Sequence, residues 1–265
     1  MRLCTFLDAG RTRLGSVRGE MVHPLDGRDV RDALAGLPAP SGPPLALRGL
    51  ALAPPLVPGK LLGIGLNFRD HAIETGADLP AEPLVFSKLV SSITGPADDV
   101  RLPSYTRELD YEGELAVVVG RRARDVAEAD ALAHVFGYAV MNDVTARDRQ
   151  RTEPQWTRAK GGDTFGPFGP WVTTADEVAD PQDLRIRTWV NDELRQDAST
   201  SEMVFSVAAL VAWCSASFTL EPGDVITTGT PAGVGVARSP RAFLAPGDRM
   251  RVEIDGLGAL ENTVG

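Results

Sequence analysis

The sequence predicts an α+β fold rich in β-structure. Three observations predict it. Apolar runs of strand length recur along the chain, turn pairs containing Gly and Pro separate them, and helical patterns are few. Strands that follow one another without an intervening helix argue against alternating βαβ units.

The elements can be justified in order. Cys4–Leu7 and the segment around Val17–Val22 read as short strands, and Val30–Leu34 as a short helix. Leu37 to Pro58 carries Pro38, Pro40, Pro43, Pro44, Pro54, Pro55 and Pro58, the mark of an extended linker or edge segment. Residues 1–58 thus form a small N-terminal subdomain with a Pro-rich linker. They are too few to hold a large core alone and are expected to pack on the main body, residues 59–265. Turn pairs punctuate that body at Gly95–Pro96, Gly166–Pro167, Gly169–Pro170, Pro222–Gly223 and Pro246–Gly247. Between them lie strand candidates at Leu115–Val119, Val135–Val140, Trp171–Thr173, Leu184–Val190, Asp224–Thr228 and Arg249–Ile254. Helices are expected at Phe68–Thr75, Val126–Ala131 and Phe205–Cys214.

Composition bounds the function. The 265 residues are 43% hydrophobic and 24% charged, ordinary for a chain that buries a sizeable core. A net charge of −9 argues against a nucleic-acid or anionic-membrane surface. It leaves room for an anionic substrate, since a metal and a few basic side chains can reverse the local sign. Cys4 and Cys214, the only cysteines, make neither a disulfide framework nor a zinc ribbon. With no secretory apolar core near Met1 and no apolar stretch approaching 18 residues, a reduced cytoplasmic protein is expected.

Glu112 and Glu114 stand one residue apart at the mouth of Leu115–Val119. On a strand they face the same way, and Gly113 between them leaves the opposite face bare. Two like charges so placed repel unless a cation lies between them. A Glu-x-Glu is commonly the wet face of an edge strand, but the run that follows is wholly apolar, as in a buried strand. The run Val135–Met141 ends in Asn142–Asp143. Glu112, Glu114 and Asp143 therefore suggest an all-oxygen site for a hard divalent ion, Mg²⁺ or Mn²⁺.

Other polar residues are weaker signals. His71 and Glu74 lie three apart in a short expected helix and share a face. They could form a general-base dyad, or a solvated surface pair. His23 and His134 have no such partner and read as structural. Lys160 precedes a glycine pair, suiting a loop that reaches an oxygen or a flexible surface turn. The turn Thr228–Gly235 could offer N–H groups and a hydroxyl to an anion. Arg147, Asp148 and Gln150 follow Asp143 closely enough to line the same cavity. Gly63–Ile64–Gly65 looks briefly like a dinucleotide loop, but Phe68 holds the third glycine's place and no βαβ unit surrounds it, so that reading is rejected.

Taken in order, these segments resemble the fumarylacetoacetate hydrolase family. The resemblance rests on Gly65–Leu66–Asn67–Phe68–Arg69–Asp70–His71, Phe86–Ser87–Lys88 and Asp110–Tyr111–Glu112–Gly113–Glu114–Leu115. It continues through Gly137–Asp148, Lys160 with Asp163–Pro167, Gly223–Pro231 and Gly247–Asp248, and covers Lys60 to the C-terminus. It implies the mixed β-sandwich roll of the family's C-terminal domain and a homodimer. It implies that Glu112, Glu114 and Asp143 bind Mg²⁺ or Mn²⁺, that His71 and Glu74 are the catalytic dyad, and that Lys160 holds a substrate carboxylate or offsets a developing anion. Gln150 and Thr230 are carried over as contacts to a small oxo acid, and Arg147 and Lys88 as further substrate contacts.

Three departures stand out. The N-terminal region is short for a fumarylacetoacetate-cleaving enzyme, Phe68 replaces a tyrosine, and Gly161–Gly162 is expected to loosen the loop after Lys160. The reaction expected first is hydrolysis of a C–C bond in an acylpyruvate-type acid, with His71 activating water. Decarboxylation of oxaloacetate or a related 2-oxo acid, or isomerisation of a 2-hydroxy-dienedioate, needs no attacking water and remains open. A non-catalytic role would predict lost ligands, and none is lost.

Overall fold

The computed structural model describes all 265 residues. Its centre is the strand Gly113–Val119, buried along its whole length. Leu115, Val117 and Val119 point into one core and Ala116 and Val118 into another, as alternation requires. A strand covered on both faces must be apolar on both, which is why this run does not alternate.

That strand lies within a large mixed sheet. From edge to edge the order is Leu45–Ala46, Met21–Pro24, Arg11–Arg18, Arg2–Asp8, Gly166–Thr174, Val135–Asn142, Gly113–Val119, Val225–Thr227, Leu61–Gly65 and Leu84–Lys88. Neighbours along this path are antiparallel except Val225–Thr227 and Leu61–Gly65, which run parallel. A second, antiparallel sheet of Glu193–Ser199, Arg185–Val190, Arg249–Ile254 and Gly258–Thr263 packs across the central strands. Between them lies the larger core, where Leu115 and Val117 share a cluster with Ile186, Val252 and Ile254. The helix Val207–Ser217 supplies Val207, Leu210 and Val211 to that cluster, and Ser206 caps it by accepting the Ala209 N–H.

The opposite face of the central strands is covered from the N-terminus. Arg2 and Leu3 pair with Thr173 and Val172, so the N-terminal strands extend the main sheet. Leu3, Leu14 and Leu25 share a core with Ala116, Ala139 and Phe168. Cys4 and Phe6, on the other side of the first strand, bury against Val17 and Val22. The Pro-rich stretch adds two-residue edge strands at Leu45–Ala46 and Leu52–Ala53.

Most expected elements recur with shifted ends, but the segment around Val17–Val22, read as one strand, contains the hairpin turn between Arg11–Arg18 and Met21–Pro24. The three expected helices are Arg69–Thr75, Glu128–Ala131 and Val207–Ser217, and two short ones, Arg147–Thr152 and Thr157–Lys160, went unforeseen. Gly166–Pro167 and Gly169–Pro170, read as turns, both lie inside the strand Gly166–Thr174. The pairing there slips its register opposite Tyr138 and Val140, and Gly169 takes φ of 140°. A register slip leaves backbone groups outside the ladder, so a proline costs no ladder hydrogen bond there. Gly113 does not leave its face bare: its N–H donates to Gln196 Oε1 at 2.9 Å, and its Cα abuts Thr188 and Val252 of the second sheet.

Two of the strands that went unforeseen have plain causes. Leu61–Gly65 was obscured by its glycines. Glu193–Ser199 is polar because it is a sheet edge, joined to its partner through Asn191 and Asp192 at φ of 51° and 67°.

A side chain at position 113 has no room. Gly113→Ala places a Cβ on Thr188 Oγ1 and 2.9 Å from Val252 Cγ1. The substitution is expected to lower the urea midpoint by an amount worth about 1–3 kcal/mol.

Candidate metal centre and active-site cavity

The sheet brings four strand ends to one place. Gly113 pairs with Asn142, so the start of one strand lies beside the end of the next, and Glu112 and Glu114 meet Asp143. Ala116 pairs with Thr227 and Thr227 with Gly63, which adds the turn after Thr228 and the loop after Gly65. The junction is locked by backbone bonds. Asp143 N–H donates to the Glu112 carbonyl at 2.8 Å, and Glu112 N–H donates to Asn142 Oδ1 at 3.0 Å.

Glu112, Glu114 and Asp143 are all buried, and each offers a carboxylate oxygen within 4.8 Å of the others. Buried cations surround them unevenly. Lys160 Nζ contacts Glu112 Oε2 and lies 2.8 Å from Asp143 Oδ2. Arg147 Nη2 stands 2.7 Å from Glu112 Oε1, while its Nε donates to Asp110 Oδ2 at 2.8 Å. Lys88 contacts Asp143 Oδ1 and the carbonyls of Lys160 and Phe165. Glu114 has no ion pair; its Oε2 accepts the Gly229 N–H at 3.0 Å.

The titration behaviour follows from that asymmetry. Burial opposes the Glu112 charge, but Lys160, Arg147 and His71 outweigh it and hold the pKa down at about 2. Burial, then the charges of Asp143 and Glu112, push Glu114 well above the ordinary 4.5. Burial opposes the Lys160 charge too, but Asp143 and Glu112 prevail and raise its pKa. Three buried carboxylates with one uncompensated fit a hard divalent cation, and the donor set is all oxygen.

The helix Arg69–Thr75 carries the second feature. His71 Nδ1 is 2.8 Å from Glu74 Oε1, and Glu74 Oε2 accepts the Gly233 N–H at 2.9 Å. His71 is only 6% exposed, so this is not a solvated surface pair. Asn67 anchors the helix by donating to the Thr228 carbonyl at 2.8 Å and accepting the Phe205 N–H at 2.9 Å.

The turn Thr228–Gly235 gives its N–H groups to anions of the chain itself. Gly229 serves Glu114, Gly233 serves Glu74, and Gly235 serves Asp110 Oδ1 at 2.8 Å. Gly229 and Gly233 adopt φ of 91° and 109°, and a Cβ on either would overlap neighbouring atoms.

A small cavity opens here, with His71, Glu112, Glu114, Gln150, Lys160 and Thr230 on its polar side. Ile64, Leu66 and Trp156 form the apolar side. The Thr230 hydroxyl donates to the Gly113 carbonyl at 3.0 Å and accepts from Gln196 Nε2 at 2.7 Å. Gln150 Oε1 accepts from Arg147 Nη1 at 2.9 Å.

Lys88 and Arg147, expected as substrate contacts, lie outside this lining, and their donors meet Asp143, Asp110 and Glu112. Asp148 turns away and accepts from Thr106 Oγ1 at 2.6 Å. Gly161 and Gly162 do not loosen the chain; a Cβ there would meet the Thr157 carbonyl at 2.6 Å or Tyr105 Oη at 2.7 Å.

Sequence reasoning missed Asp110, Gln196 and Trp156 as parts of the site. Asp110 and Gln196 act through long-range contacts that no local pattern carries, and Trp156 looks like any core aromatic. Leu66 was quoted only within a motif, yet it lines the cavity at φ of 54°. That conformation costs a residue with a Cβ about 1 kcal/mol.

Comparison with known proteins places the chain. The model for the fumarylacetoacetate (FAA) hydrolase C-terminal domain matches residues 60–265, and an Rv2993c-like N-terminal model matches residues 1–55. Oxaloacetate tautomerase fahd2, mitochondrial, of Xenopus laevis is 48% identical over 215 residues, covering 80% of this chain and 67% of that protein. A fumarylacetoacetate hydrolase from Exiguobacterium antarcticum superposes with a TM-score of 0.92 at 37% identity, over 100% of this chain and 99% of that one. A 2-hydroxyhepta-2,4-diene-1,7-dioate isomerase from Mycobacterium marinum gives 0.86 at 38%, over 100% and 98%. The chain belongs to the fumarylacetoacetate hydrolase family.

The uncompensated carboxylate gives a stability signature. A carboxyl whose folded pKa is raised stabilises the fold while protonated and loses that contribution as pH rises from about 4.5 toward the raised value. Metal-free Glu114→Gln is therefore expected to flatten this decline in thermal melts. Mn²⁺ is expected to raise the melting temperature of the unsubstituted protein and to leave that of Glu114→Gln unmoved.

Proposed function

We propose that this member of the fumarylacetoacetate hydrolase family is a metal-dependent enzyme that moves a proton at C3 of a small 2-oxo acid. Its reaction in this reading is keto–enol tautomerisation of an oxaloacetate-like dicarboxylate. The observation that carries it is His71, held at Nδ1 by Glu74 and sharing one small cavity with Glu112, Glu114 and Lys160.

Each group has a part. Glu74 is itself fixed by the Gly233 N–H, so it holds the His71 Nδ1–H tautomer and leaves Nε2 with a lone pair. Nε2 takes the proton from C3, and the same ring, now an imidazolium stabilised by Glu74, returns a proton to the 2-oxo oxygen. Glu112, Glu114 and Asp143 would hold Mg²⁺ or Mn²⁺, which when bound polarises the 2-oxo carbonyl as a Lewis acid. The Lys160 ammonium adds positive charge where the substrate becomes more anionic. Gln150 and Thr230 shape the polar wall. Lys88 and Arg147 position Asp143 and Glu112. The Xenopus relative named oxaloacetate tautomerase supports this reaction.

A second reading, expected first from the sequence, is hydrolysis of an acylpyruvate. The same ring would then take its proton from water attacking the distal carbonyl, releasing a carboxylic acid and pyruvate. The Exiguobacterium relative named as a hydrolase favours it. The proton shift stands ahead because it needs only groups that line the cavity, whereas hydrolysis also needs a held water. A homodimer belongs to either reading, and light scattering is expected to give twice the mass of the chain.

The test follows the enol absorbance of oxaloacetate with Mg²⁺-loaded protein, with acetylpyruvate cleavage assayed in parallel. His71→Ala is expected to slow enol–keto exchange by about 10²–10⁴-fold while keeping Mn²⁺ binding. Unchanged exchange in that variant would overturn the role of His71. Cleavage of acetylpyruvate without enhanced oxaloacetate exchange would move the assignment to the hydrolase.

A further inference from the structure

Gly63 and Gly65, the remnant of the rejected dinucleotide pattern, have another use. Two residues apart on one strand, they leave the end of one of its faces without side chains. Phe86 lies over Gly63 and Trp156 over Gly65, so closely that a Cβ on Gly63 would overlap the phenyl ring, and one on Gly65 would come within 2.8 Å of the indole. The two rings meet edge-on with centroids 5.5 Å apart. Phe86 also lies under the Lys160 ammonium, 5.2 Å from the ring centre. The Trp156 carbonyl accepts the Lys160 N–H at 2.9 Å, so the indole and the ammonium sit one helical turn apart.

This wall divides two spaces. On one side is the small cavity that holds His71, Glu112 and Lys160. On the other is a larger, mainly apolar groove of about 570 Å³ whose lining includes Val85, Phe86, Leu89, Val90 and Phe218. Trp156 is the one residue that lines both.

We propose that Trp156 sets the length limit of the substrate. The inference rests on the reading that a 2-oxo acid binds with its oxo-carboxylate end at the three carboxylates. The rest of the molecule then runs toward Ile64, Leu66 and Trp156, and the indole stops it. A short acid ends before the ring; an acid with a longer apolar tail meets it. Removing the indole joins the cavity to the groove, where such a tail is buried among apolar side chains.

The test is calorimetric binding of pyruvate, 2-oxopentanoate and 2-oxooctanoate to Mg²⁺-loaded protein, which is independent of the reaction catalysed. In the unsubstituted protein, affinity is expected to fall about tenfold or more from pyruvate to 2-oxooctanoate. In Trp156→Ala the order is expected to reverse, with roughly fourfold gained per methylene that reaches the groove. Adding Val90→Trp to that variant refills the groove and is expected to restore the exclusion. Trp156→Leu serves where the alanine variant does not fold. Tight binding of 2-oxooctanoate by the unsubstituted protein, or an unchanged chain-length profile in both Trp156 variants, overturns the length limit and leaves the functional reading standing. Failure of pyruvate itself to bind overturns the binding mode on which the length limit rests, and the oxaloacetate exchange assay tests the functional reading separately.

Discussion

Burying like charges side by side is the constraint on which the rest of this structure depends. Glu112, Glu114, Asp143 and Asp110 are carboxylates in a near-anhydrous interior, and Lys88, Lys160 and Arg147 are the only buried cations there to meet them. In a low dielectric such a cluster persists only if every remaining lone pair finds a donor. Much of the local architecture can be understood as supplying those donors. The turn Thr228–Gly235 gives three of its N–H groups to three different carboxylates, which is why it is rich in glycine and why two of those glycines adopt positive φ. The centre is still one cation short at Glu114, and that shortfall is the strongest physical argument for a divalent ion.

The sandwich makes such a cluster rigid. The carboxylates sit at the ends of central strands, not on a mobile loop, and both faces of those strands are covered. One cover is the second sheet, reaching Gly113 through Gln196 and Thr188. The other is built from the N-terminal strands, which continue the sheet through Arg2 and Leu3. The N-terminal segment therefore contributes to the site without touching it, by keeping water from the far side of Ala116, Val118 and Met141. His71 is on a short helix, but Asn67 at its base and Glu74 within it tie it to the same glycine-rich turn. Dyad and carboxylates are thus held by one piece of backbone. Both cysteines lie buried, with burial pushing each thiol up to about 12, and contribute packing alone.

What the sequence determined by itself was local in origin. The β-rich class followed from run lengths and turn residues. The burial of Leu115–Val119 followed from the lack of alternation, and the pairing of Glu112 with Glu114 on one face from the two-residue repeat of a strand. The inclusion of Asp143, His71, Glu74 and Lys160 as candidates needed only their places beside such elements. The tertiary structure alone decided which groups meet. It turned Lys88 and Arg147 into supports behind the carboxylates, because their ammonium and guanidinium groups found buried partners 37 to 55 residues away. It brought in Asp110 and Gln196, set two Gly–Pro pairs inside a strand, one of them at a register slip, and made glycines 63 and 65 a bed for aromatic rings. The division has one physical reason. Periodicity and turn chemistry are written in neighbouring residues, whereas charge compensation and the walls of a cavity depend on strand order and register, which distant pairings fix.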